Sequence, residues 1–165
     1  MDLINLKKLL LKCSAFLKPI LKLLFSLFYS PAYLKGKHFD TGYGGYFYAI
    51  RSIWQRNILR LAPTFPWPMG LTCYVSSYKN ITFHIDDLNN FHSPGTYFQN
   101  FNGHIYIGKG SFIGPNVGII TSNHSLQDLD KHDQGRDVTL GEECWIGMNS
   151  VILPGVVLGP KTIVA

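Results

Sequence analysis

Every sixth residue in the C-terminal part of this chain is aliphatic: Ile107, Ile113 and Ile119, then Leu140, Ile146, Ile152, Leu158 and Val164. Glycine follows at Gly108, Gly114, Gly141, Gly147 and Gly159, and a small or compact residue stands at the fifth place, as at Ser111, Val117, Cys144, Ser150, Val156 and Thr162. A period of six suits neither the 3.6-residue turn of an α-helix nor the two-residue alternation of a half-buried strand. It suits a parallel β-helix of hexapeptide repeats, in which short strands form the faces, each aliphatic residue points into a narrow core, and three hexads complete a coil. The glycines belong at its corners, where a positive φ or a close backbone approach is cheap only without a Cβ.

The rhythm extends back to Phe101 and becomes ragged over residues 81–100. Further upstream, Ile50, Ile53, Trp54, Ile58, Leu59 and Leu61 recur at helical spacing and stop before Pro63. A short helix there is expected to cap the open end of the β-helix, because an uncapped coil exposes unpaired strand edges. The chain therefore divides into an amphipathic segment over 1–40, a helical or irregular cap over 41–79, and an all-β repeat region over 80–165.

Ile119 and Leu140 are 21 residues apart, which is not a multiple of six. A loop over residues 122–137 must leave the repeats, and its Asn, Ser, Gln, Asp, Lys, His, Gly and Arg are residues of solvent-exposed chain. Long excursions from a rigid scaffold are characteristically functional.

The hexads, the exit "TSNHSL" and the return "GEECWIGMNSVILPGVVLGP" resemble the left-handed β-helix acyltransferases. The likeness is to the O-acetyltransferases related to maltose, galactoside and serine acetyltransferases and to those of capsule or exopolysaccharide. It covers about residues 80–165. The resemblance implies acetyl-CoA as acyl donor, a homotrimer, and His124 as catalytic base at the loop mouth, with Asn123 beside it. It implies that Asn100, in "QNFNG", helps to hold the acceptor. Trp145, Gly147 and Met148, with Ala165 near the next-coil position, would border the pantetheine arm of the donor. Family members continue for at least another coil, so further coils, or some cover over the C-terminal edge, are expected.

The residue chemistry agrees. Acetyl transfer from a thioester to a sugar hydroxyl needs a base for the hydroxyl proton, and imidazole, with an ordinary pKa of about 6.5, suits that at cytoplasmic pH. Backbone N–H groups at a glycine-containing turn can bind the oxyanion. Asp128 or Asp130 stand near enough in sequence to orient the imidazole. No acyl-enzyme is needed, and Cys144, at a fifth place, reads as core. His132 reads as a solvated loop residue.

Serine or amino-sugar N-acetyl transfer lies within the same chemistry. From another class, some left-handed β-helix proteins are zinc carbonic anhydrases; His104, His124 and His132 are candidate ligands here but lack that family's spacing, and no metal is expected. A non-catalytic scaffold is a third reading.

Cys13, Cys73 and Cys144 are odd in number and lack CxxC or CxxH spacing, which points to a reducing, cytoplasmic compartment. Residues 1–40 hold seven lysines against Asp2 and Asp40, whereas 41–165 hold eight Lys and Arg against eight Asp and Glu. The repeat region has no basic excess, which argues against nucleic acid. Wound as a helix, the N-terminal segment gathers Lys7, Lys8, Lys12, Lys18 and Lys22 in one arc of roughly 140°, with Leu and Phe around most of the rest. Its longest uncharged run, Leu23 to Leu34, is too short to span a bilayer, which takes about 20 apolar residues. Residues 1–35 are expected to lie on an anionic membrane surface or, alternatively, to pack on the protein itself.

Overall fold

The computed structural model describes residues 16–165. Lys7, Lys8, Lys12 and Cys13 lie outside that range. The described residues form eleven strands of two or three residues, the eight from β4 onward on the sequence rhythm: β1 Tyr74–Val75, β2 Ile81–Thr82, β3 Tyr97–Gln99, β4 Ile105–Ile107, β5 Phe112–Ile113, β6 Gly118–Ile120, β7 Val138–Leu140, β8 Trp145–Ile146, β9 Val151–Ile152, β10 Val157–Leu158 and β11 Ile163–Val164. All pairings between these strands are parallel, in three sheets ordered β1-β3-β6-β9, β10-β7-β4-β2 and β11-β8-β5. From β3 onward the chain visits the three sheets in strict rotation, an arrangement compatible with a parallel β-helix.

Register measures the coil directly. Thr139 pairs with Val157 and Trp145 with Ile163, 18 residues apart, or three hexads. Ile105 with Val138, Phe112 with Trp145 and Gly118 with Val151 are 33 apart. The surplus of 15 is the inserted excursion, and its insertion leaves the register of both neighbouring sheets intact. The aliphatic residues converge: Ile105, Ile113, Ile119, Leu140 and Ile146 are each at most 2% exposed.

Only one of the two reasons for the glycines holds where they stand. None of Gly108, Gly114, Gly141, Gly147 and Gly159 has a positive φ. Four of them are crowded instead: a Cβ on Gly108 would lie 2.3 Å from the Gly141 carbonyl carbon, and one on Gly141 2.6 Å from the Pro160 nitrogen. The corner's left-handed residue is two places further on, at Gly110, Asn116, Glu143, Asn149, Gly155 and Lys161, with φ between 56° and 82°. Four of these carry side chains, at roughly 1 kcal/mol or more each, so the corners tolerate strain that the close approach of backbones does not.

Helices sit at the first-coil end. Helix α1, described over residues 16–25, is followed by α2, Gly44–Ser52, which runs into a π-helical turn, Ile53–Ile58. Helical structure thus occupies Gly44–Ser52 and Ile53–Ile58, where the helical spacing falls. Trp67, Phe83, Phe91 and Phe98 pack against one another at tilted to edge-on angles and continue the aliphatic core, with centroids 4.5–5.4 Å apart. The edge of β5 is closed by a 3-10 segment, Ile85–His92. There the buried Asn90 accepts from the Ile113 N–H (3.1 Å) and donates to the Ser111 carbonyl (2.9 Å), replacing a neighbouring strand with one side chain. Arg56, 3% exposed, donates to the carbonyls of Pro63, Met69, Gly70, Leu71 and Cys73, and so gathers the connection from the π-helical turn to β1.

Candidate active site

The three sheets define three kinds of corner. The turn from the first sheet to the second is made by residues 76–80, 100–104, 121–137 and 153–156 in successive coils, and the excursion belongs to this stack. It folds back on itself as an irregular hairpin. Ser125 N–H donates to Lys131 O (2.8 Å), Asp133 N–H to Asn123 O (2.9 Å) and Arg136 N–H to Thr121 O (2.8 Å). Gln99 fixes its base from the coil below: Oε1 accepts from Thr121 and Ser122 N–H, both at 3.0 Å, and Nε2 donates to Ser122 O at 3.0 Å. Gly135 lies so close to the preceding corner that a Cβ there would come within 1.9 Å of Asn102 O.

His124 is exposed at the mouth of this hairpin. Its Nδ1 is 2.7 Å from Leu129 O. A carbonyl oxygen only accepts, so Nδ1 carries the proton and the neutral ring presents its Nε2 lone pair outward. The orienting group is thus a main-chain carbonyl. Of the two acids considered, Asp128 accepts from Asp130 N–H (3.1 Å) and pairs with Lys131 (2.9 Å). His132 packs against His124 with ring centroids 4.3 Å apart, and Phe101 meets His132 edge-on at 5.0 Å.

The remaining expected residues fall in different places. Asn123 is exposed beside His124. Asn100 is fully buried: its Oδ1 accepts from Ser77 N–H (2.8 Å), and its Nδ2 donates to Ser77 O (2.7 Å) and Asn80 O (2.9 Å), fixing the corner beneath Phe101. Trp145 and Met148 are 55% and 61% exposed on β8 and the turn after it. Gly147 donates to Val164 O (2.6 Å), and its α-carbon faces Ala165, so these four residues cluster across two coils. That cluster lies at the turn from the third sheet to the first, whereas His124 lies at the turn from the first to the second. His104 stands apart from the other two histidines in its bonding, with Nε2 2.8 Å from Thr82 Oγ1 and its ring stacked on Tyr106 at 4.3 Å. Among the described residues, no group of three His, Cys, Asp or Glu is placed to hold a metal ion. Cys144 is 1% exposed, as a core residue should be.

A putative acetyltransferase of Saccharomyces cerevisiae is 33% identical over 93 residues, 50% of this chain and 47% of its own length. A putative acetyltransferase of Dictyostelium discoideum is 30% identical over 88 residues, 48% and 46% of the two chains. Over this half the chain is similar to proteins named as acetyltransferases. Nodulation protein L of Rhizobium meliloti, 35% identical over 83 residues and 45% of each chain, belongs to the same set of relatives. The chain spans about half the length of the curated relatives it matches. No family model and no solved structure matches it.

Three features of the site had no signal in the sequence rhythm: the Leu129 carbonyl, the Gln99 anchor and the Phe101–His132–His124 stack. Each depends on backbone folding back within the insertion or on contact between coils, and neither is periodic.

Proposed function

We propose that this acetyltransferase relative transfers an acetyl group from acetyl-CoA to a saccharide hydroxyl, in the biosynthesis of a surface polysaccharide such as capsule, exopolysaccharide or lipopolysaccharide. The observation that carries this reading is His124, an exposed imidazole whose Nδ1 is committed to Leu129 O and whose Nε2 is open. Nε2 takes the acceptor hydroxyl proton as the oxygen attacks the thioester carbonyl, and backbone N–H groups hold the resulting oxyanion. On collapse the C–S bond breaks, and the imidazolium returns its proton to the departing thiolate. No acyl-enzyme forms.

The separation of His124 from the Trp145, Gly147, Met148 and Ala165 cluster supports a homotrimer. If that cluster lines the donor site, base and donor can meet where the base-bearing corner of one copy faces the donor-lining corner of the next. In this reading the coils close into a left-handed β-helix, and segments 1–40, 41–79 and 80–165 serve as anchor, cap and catalytic repeat region.

The anchor acts at the cytoplasmic face of an anionic membrane. Residues 1–61 carry ten Lys and Arg against two Asp, while 62–165 carry five against eight acids. Exposed Phe16, Leu17 and Ile20 on α1, and Phe47, Ile50 and Trp54 on and just after α2, place apolar surface in that same basic half. Lys18 and Lys22 are bonded to Asp40, whose carboxyl Lys22 holds below the ordinary range. The membrane-facing charge is therefore assigned to the other lysines of the segment. No helix among the described residues is long and apolar enough to cross a membrane.

The deciding experiment presents acetyl-CoA with nucleotide sugars, oligosaccharides and lipid-linked saccharides. Transfer to a sugar hydroxyl is expected, reduced at least ~10²-fold by His124→Ala with the fold retained. Acetylation of serine or amino sugars alone, or an undiminished mutant, would refute the assignment.

A further inference from the structure

His124 has a neighbour that the transfer chemistry does not use. The bonds Ser125 N–H to Lys131 O and Asp133 N–H to Asn123 O bracket residues 124 and 132, which form an antiparallel bridge. This makes them a non-hydrogen-bonded pair, the kind whose side chains stand closest and on one face. The register of the hairpin thus sets the two rings 4.3 Å apart at 36°. Phe101, from the preceding coil, backs His132 edge-on at 5.0 Å. Among the described residues the His132 ring has no hydrogen-bond partner, whereas the His124 ring is held at Nδ1.

We propose that His132 is a positioning residue for His124: its ring, backed by Phe101, packs against the base's ring and fixes the direction in which Nε2 faces. This rests on the reading of His124 as the transfer base.

The test measures kcat and KM for acetyl transfer in the full-length protein and in His132→Phe and His132→Ala, beside the NMR ring-proton shifts of His124. His132→Phe, which keeps a packed ring, should retain kcat within about threefold of wild type, whereas His132→Ala should lower kcat by about tenfold or more with KM little changed and the fold retained. The ring-current shift on His124 should survive in His132→Phe and be lost in His132→Ala. An unchanged kcat in His132→Ala, or equal losses in both variants, would overturn the proposal. A wild type that transfers no acetyl group would remove the transferase reading instead, while the His124 ring-current comparison still decides whether the residue at 132 holds the ring.

Discussion

His92 stacks on Tyr48 with ring centroids 3.7 Å apart, and its Nε2–H donates to Pro68 O at 3.1 Å. Burial pushes its pKa from 6.5 down to about 4, against the opposing pull of that carbonyl. The folded state therefore holds a neutral ring where the unfolded chain binds a proton. The stability this represents is fully present above pH 6.5 and is lost as pH falls toward 4, up to roughly 3 kcal/mol. Urea unfolding at pH 7 and pH 4.5 should show the loss in wild type and a much smaller one in His92→Phe, which keeps the stack. An equal acid loss in both would assign it to other groups. Arg56 is a second buried group that the sequence leaves unremarked: an isolated arginine in a helical stretch reads as solvated, and only the fold turns five carbonyls toward it.

At the scale of the element, the excursion is visible in the sequence as a break in period, yet nothing in its polar composition distinguishes a hairpin from an open loop. Its shape follows from Gln99 beneath it and from two glycines, Gly103 and Gly135, that let adjacent corners touch: a Cβ on Gly103 would lie 2.9 Å from Thr121 Cβ. Gly135→Ala should cost about 1–3 kcal/mol, because the Asn102 backbone cannot yield as a flexible side chain could, and should move His132 off Phe101. Gly118, whose would-be Cβ meets the Val151 methyl groups at an ordinary 3.7 Å, is the control and should lose no more than about 0.5 kcal/mol on conversion to Ala. Thermal unfolding of the two variants measures the difference; equal midpoints would mean that the corners are not tightly packed.

For the whole molecule, the uneven charge makes a separable prediction. Full-length protein should bind vesicles containing anionic lipid. Part of the binding should weaken with salt, because screening shortens the reach of exposed lysines, and part should persist, because apolar burial contributes about 25 cal/mol per Å² at any ionic strength. A variant with Lys7, Lys8 and Lys12 changed to Gln, which leaves the buried Phe25, Tyr29 and Leu34 in place, should lose the salt-sensitive part of the binding yet keep transfer to a soluble acceptor. Indifference to anionic vesicles at low salt would favour packing of α1 on the protein, which the Lys18 and Lys22 contacts with Asp40 already begin. Light scattering should report a trimer; an active monomer would contradict the shared site.

The sequence by itself determined the repeat and the place where it breaks, because each hexad must send its own aliphatic residue inward. That requirement is local, and it leaves a fixed period in the chain. It also held His124 at the mouth of the break and kept Cys144 for the core. Tertiary structure alone decided which residues meet. Coil-to-coil partners are 18 residues apart in one place and 33 in another, so no fixed spacing announces that Gln99 holds Ser122, that Phe101 reaches His132, or that Asn100 is enclosed by Ser77 and Asn80. The glycines show the same division: their spacing is periodic, but whether each answers to a dihedral or to a neighbouring backbone depends on the coil stacked against it.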